Sequence, residues 1–159
     1  MDEERYSSLL RQSNELKKNS LKTTHCVMES GFLLTEHRYE TLDPESFGTL
    51  LAFSVTISDN YHFSERREYI DLAKDFLADQ ITADDFSSAF MGIYEGIDGE
   101  VAQMEEDESL ELTNFLKTSQ SEVGDLLSQI YGTCDFFGHV IYDEKELRDC
   151  AQILLLKLQ

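Results

Sequence analysis

The stretch Glu68–Phe90, EYIDLAKDFLADQITADDFSSAF, decides how the chain is read. Ile70, Ala73, Phe76, Leu77 and Ile81 recur three and four residues apart, the spacing that aligns one face of an α-helix. Thr82 followed by Asp85 resembles a capping box, with Asp in the place usually taken by Glu, and predicts the start of a second helix. Phe86, Ala89, Phe90 and Ile93 give that helix an apolar stripe of its own. The polar residues raise a different question. From Asp75 to Leu116 there is no Lys, Arg or His in 42 residues, while twelve Asp and Glu accumulate.

The whole chain shares this bias. Its 159 residues hold 13 Lys and Arg against 32 Asp and Glu, a formal net charge of −19. Such a chain is repelled by phosphate backbones and anionic membranes, so nucleic acid and membrane are disfavoured as partners. Metal cations and basic protein surfaces are favoured. Residues 1–64 carry six basic and ten acidic residues (−4), and residues 65–159 carry seven and 22 (−15), so the acidity belongs to the second part. Hydrophobic residues make up 41% of the chain, including ten Phe and seven Tyr, which is enough for a packed core. A single Pro and no Trp fit a helical protein better than a turn-rich β-sandwich.

Cys26, Cys134 and Cys150 are an odd number without metal-site spacing and read as reduced thiols. The acidic N-terminus, MDEERYSSLL, has no apolar signal core, and no apolar run approaches the ~20 residues of a membrane span. A soluble, cytoplasmic protein is expected.

Outward from the opening stretch, residues 5–18 carry Tyr6, Leu9, Leu10 and Leu16 at helical spacing. Residues 20–42 read equally as a helix broken at Gly31 or as a strand-like piece. Asp43 as N-cap, Pro44 at the first helical position and Glu45 beside it predict another helix. Its continuation, FGTLLAFSVTI, is apolar on most faces and predicts a buried element. SDNYHFSERRE, residues 58–68, reads as a connection, with a boundary near residue 65. In the second part, the glycines of GIYEGIDG are expected to end the helix begun at Thr82. Leu112, Phe115, Leu116, Val123, Leu126, Leu127 and Ile130 predict one longer or two short helices. Leu147, Ala151, Leu154, Leu155 and Leu158 line a last one. The expected fold is all-α: an antiparallel four-helix bundle over residues 66–159, preceded by a helical segment over residues 1–65 of unassigned role.

YIDLAKDFLADQITADDFSSAF, LLSQIYGTCDFF and YDEKELRDCAQILLLKL together resemble the colicin D immunity protein family over residues 68–159. The resemblance implies a small four-helix bundle that binds a cognate ribonuclease toxin acting on transfer RNA. Acidic residues would fill the toxin's basic substrate cleft in place of the RNA backbone, without catalysis and without a cofactor. It also implies contacts between the third helix and the start of the fourth. Here that region offers Asp135 and then Asp143, Glu144 and Glu146, and residues 1–65 have no counterpart in the family. Asp75, Asp79, Asp84 and Asp85 stand away from that region in sequence and read as part of a long-range field.

The densest acidic run is MEEDESLE, residues 104–111, with Glu105, Glu106, Asp107 and Glu108. It reads either as a solvated loop and first helical turn, favoured by the helix dipole, or as a contact for basic groups. Asp98-Gly99 lacks the alternating ligands of a calcium loop. His25-Cys26 and Cys134 with His139 lack the spacing of a tetrahedral metal site, and core or surface roles are preferred. No nucleophile elbow or phosphate loop is present, so an enzyme is not expected. Phe76, Phe86 and Phe90 read as core; Tyr94, Phe136 and Phe137, placed near helix ends, read as core or as interface anchors. The alternative to a toxin inhibitor is a non-catalytic subunit docking in a larger complex.

Overall fold

The computed structural model describes residues 3–27, 42–117, 120–137 and 143–159, with the backbone alone for residues 19–27. The described residues form α1 (Glu3–Val27), α2 (Pro44–Ser64), α3 (Arg66–Leu77), α4 (Ala83–Glu106), a 3₁₀ helix (Leu110–Leu116), α5 (Ser121–Asp135) and α6 (Glu144–Leu158). The all-α class is as expected. The question left open at residues 28–41, and the side chains of His25, Cys26 and His139, lie outside the described residues.

α3 to α6 form the four-helix bundle. The Thr82–Asp85 capping box is complete, with each side chain bonded to the other residue's backbone N–H. α3 and α4 therefore run antiparallel across a tight turn. α5 returns along α4, since Ser87 Oγ donates to the Cys134 carbonyl at 2.8 Å near one end and Tyr94 meets Ser128 further along. α6 runs antiparallel to α3, its start held at the end of α3 by Arg148. Asp143 and Glu146 close a second capping box at the start of α6. The bundle core is aromatic on one side and aliphatic on the other. Phe76 and Phe86 stack at 4.5 Å between centroids, Tyr69 and Phe90 sit beside them, and Leu127, Leu147 and Leu154 face them. Burying each large side chain contributes roughly 1.5–3 kcal/mol.

α2 begins as the sequence predicts, with Asp43 accepting from the Ser46 N–H at 2.9 Å and Pro44 in the first turn. Its later course differs from expectation. Residues 58–68 are not a connection: α2 continues through Ser64, and only Glu65 separates it from α3. Two of the polar residues that suggest a turn are instead buried and bonded. Asn60 donates to the Phe115 carbonyl, and His62, 1% exposed, bonds Tyr69 and Asp98. The expected burial on most faces also fails, because Leu51 and Val55 stay about half exposed while Phe53 and Ile57 point inward. Phe53 and Ile57 join Tyr6, Leu9 and Leu10 of α1, Val101 of α4, and Leu112 and Leu116 in a second cluster. Tyr61 packs against both clusters, so the boundary at residue 65 is crossed by continuous apolar contact.

The glycines of GIYEGIDG do not end α4, which runs through Glu106. Interior glycines weaken a helix by up to ~1 kcal/mol each. Here the buried series Phe86, Phe90, Ile97 and Val101 continues through them without a break and holds the helix against the bundle. Gly92, Gly96 and Gly99 have open space where a Cβ would stand.

Candidate acidic interaction surface

α4 is the acidic spine of the molecule. Its 24 residues include Asp84, Asp85, Glu95, Asp98, Glu100, Glu105 and Glu106 and no Lys, Arg or His. Four of these carboxylates are held by neighbouring helices, and among the described residues none of the holding groups is Lys or Arg. The Tyr131 hydroxyl of α5 donates to Glu95 at 2.6 Å, and the Tyr61 hydroxyl of α2 donates to Glu100 at 3.0 Å. Ser54 donates to Glu105 at 2.6 Å, and Tyr6 of α1 donates to the same oxygen. Asp98 accepts from Ser58 at 2.9 Å and bonds His62 Nε2 at 3.1 Å.

These bonds show in the acidity of the three phenols and of Asp98. The bond to Glu95 pushes the Tyr131 phenol up to about 12. The bond to Glu100, with a little burial, raises that of Tyr61. Burial, reinforced by Glu105, raises Tyr6 as well. The bond from His62 holds the Asp98 carboxyl below its usual range against the opposing effect of burial. A hydroxyl fixes a carboxylate without cancelling its charge. The outcome is a set of acids oriented by hydroxyl and imidazole groups.

The eight acids singled out in the sequence fall into two groups at opposite ends of α4. Asp135, Asp143, Glu144 and Glu146 lie at the end where α4 begins. Glu105, Glu106, Asp107 and Glu108 lie where it finishes. The rise of a helix puts about 33 Å between Asp84 and Glu106.

At the first end, three of the four acids serve the fold. The Asp143 side chain accepts from the backbone N–H groups of Lys145 and Glu146, and Glu146 accepts from the Asp143 N–H. Glu144 pairs with Arg148 at 2.8 Å. Asp135, the last residue of α5, is exposed and makes no ion pair among the described residues. Asp79 belongs to this group after all. Arg148 reaches it at 2.6 Å and stacks over Phe76, tying the turn after α3 to α6. Asp84 and Asp85 stand nearby in the first turn of α4.

At the other end the dipole reading of the acidic run holds for Glu111, in the first turn of the 3₁₀ helix, and fails for Glu105 and Glu106. Glu105 and Glu106 occupy the last turn of α4 and Asp107 caps it, so the charges crowd the negative pole of the helix. Acids there cost stability instead of adding it. Glu106 and Asp107 are exposed, and Glu108 forms only a 3.6 Å contact with the exposed Arg11.

Sequence reasoning missed the groove between these ends. A depression of about 510 Å³ runs beside α4, floored by Gly92 and Gly96 and edged by Tyr61, Glu65, Glu68 and Glu100. The signal lay in Ala89, Gly92 and Gly96, small residues three and four apart that leave one helix face low. Among the aromatics, Tyr94 is not at a helix end but stacks on His62 at 4.5 Å inside α4. Phe137 packs against the bundle core, and Phe136, next to Asp135, is 49% exposed.

Among the described residues no three His, Cys, Asp or Glu side chains are grouped to hold a metal ion, and no helix is long and apolar enough to cross a membrane. Cys134 is buried and Cys150 partly so, and burial raises both thiols, which keeps them protonated. Comparison with protein-family models, curated proteins and solved structures returned no match for this chain.

Proposed function

We propose that this protein is a non-catalytic inhibitor that occupies the basic cleft of a partner protein, and that the partner is a ribonuclease toxin domain, as the resemblance of residues 68–159 to the immunity family suggests. The observation that carries this reading is the set of α4 carboxylates held by hydroxyl groups on the surrounding helices. Glu95, Glu100 and Glu105 are pre-oriented and, among the described residues, paired with no Lys or Arg, which is what a surface needs to replace a polyanion in a cleft of Lys, Arg and His. The exposed Glu106 and Asp107 at the wrong pole of α4 support it further: they weaken the helix, and an external cation would offset that cost.

The test pairs the purified chain with a ribonuclease toxin domain encoded beside it and follows transfer RNA cleavage. Cleavage should stop at a one-to-one ratio. Association should be fast, ~10⁸ M⁻¹s⁻¹ at low salt, and slow steeply as salt rises from about 50 to about 500 mM. Reversing Glu95 and Glu100 to Lys should weaken inhibition while helical content is retained. Full inhibition by that variant, at a rate indifferent to salt, would sink the reading.

A second reading rests on Leu51 and Val55, which leave an apolar strip on the outer side of α2. A subunit docking in a larger complex through that strip would bury it, and its association would respond little to salt.

A further inference from the structure

Asp59, in α2, faces α5 and is half-buried. Its carboxylate fills the space above Gly124, in the first turn of α5, where any Cβ would overlap it. The acid occupies the gap between the helices, so a larger residue at Gly124 would have to displace the Asp59 side chain. The charges that reach Asp59 are Asp125 from α5, Asp98 from α4 and His62 from its own helix. Two of the three repel it. The third is already bonded to Asp98 and Tyr69. Tyr94 of α4 is a further titratable group beside it, and among the described residues α1, α3 and the 3₁₀ helix bring no charge to bear on it.

We propose that the α2–α5 seam is a proton-operated latch: protonated Asp59 lets the seam close, and loss of the proton leaves a poorly compensated carboxylate between two helices, loosening α2, and α1 behind it, from the bundle. The direction follows from the group's acidity. Burial, with Asp125 adding and His62 opposing, raises the Asp59 carboxyl from its usual 3.8 to about 6. A carboxyl raised in the folded state contributes stability that is fully present below its unfolded value and lost as pH rises through its folded value. The window is thus about pH 4 to 6. Asp98 is shifted the other way and acts only below that window.

The full chain is examined by NMR titration of the Asp59 carboxyl carbon and by amide hydrogen exchange, corrected for intrinsic rates, between about pH 5 and about pH 7.5. The carboxyl should titrate near 6. The opening equilibrium of α2 amides should rise about 10-fold across the range, the part of the linkage that lies above pH 5. Asp59→Asn should abolish that rise, whereas Asp135→Asn, at an exposed acid, should leave it intact. Gly124→Ala should push the carboxylate toward water and return its titration toward 4. An Asp59 midpoint near 4 in the native chain would overturn the proposal. So would an equal rise in Asp59→Asn, since the rise would then come from the repulsion of the whole acidic surface. If Asp59→Asn does not fold, the native titration decides alone.

Discussion

At Glu108 the backbone is left-handed, with a φ of 53°, and at Asp79 it is left-handed again, at 55°. Each residue follows the cap of a helix, α4 and α3 respectively, and each turn is closed by the paired backbone bonds of a Schellman motif: Ser109 N–H to the Met104 carbonyl, and Gln80 N–H to the Asp75 carbonyl. Glycine is the usual occupant of such a position, and another residue costs about 1 kcal/mol. At both turns an acid stands instead and reaches an arginine of another helix, but the two contacts differ in worth. Asp79 meets a partly buried Arg148 at 2.6 Å, whereas Glu108 meets an exposed Arg11 at 3.6 Å. Glu108→Gly should therefore raise stability by about 0.5–1 kcal/mol, because an exposed pair of that geometry is worth little. Asp79→Gly should gain nothing, since relief of the turn is offset by loss of the Arg148 bond. Urea denaturation of the two variants checks the contrast, and equal effects would refute it.

Among the elements, α4 is where sequence and structure part most instructively. Its beginning was legible, because a capping box acts through neighbours three residues apart. Its end was not. Local glycine chemistry predicted termination at Gly92–Gly99, and tertiary packing of Ile97 and Val101 carried the helix onward. That extra length moves Glu105 and Glu106 from an expected first turn to a last one and reverses the sign of their interaction with the helix dipole. Glu106→Lys should then stabilise the fold by about 0.3–1 kcal/mol at low ionic strength, with the gain fading in high salt. Thermal melts at two salt concentrations measure it, and a loss of stability would mean that Glu106 has a cation partner. α2 shows the same limit of local reading. Its start was read from Asp43 and Pro44, but its far end looked like a turn because Asn60 and His62 find their partners in Phe115, Tyr69 and Asp98, remote in sequence. The candidate acids were all visible as residues. That they divide between two ends of α4, with a groove between, depends on the helix running on through its glycines.

For the whole molecule, the charge of −19 and the placement of individual acids are separable. Tyr61→Phe and Tyr131→Phe remove the hydroxyls that hold Glu100 and Glu95 and leave the net charge unchanged. The double variant should meet a basic partner at the native rate and release it roughly 3–30-fold faster, because each carboxylate must then be ordered on binding. Surface plasmon resonance separates the two rates, and an unchanged release rate would show that the hydroxyls do not preorganise the contact. Glu105 joins three parts of the molecule, since Tyr6 and Ser54 bond its side chain and Asn14 bonds its carbonyl. A random substitution there is recorded twice, as a missing acid and as a loosened α1. In a survey of tolerated mutations Glu105 would rank as indispensable beside a permissive Glu106 and Asp107, even if all three touched the same partner, so mutational sensitivity along this run would map the docking of α1 more faithfully than the footprint of whatever binds.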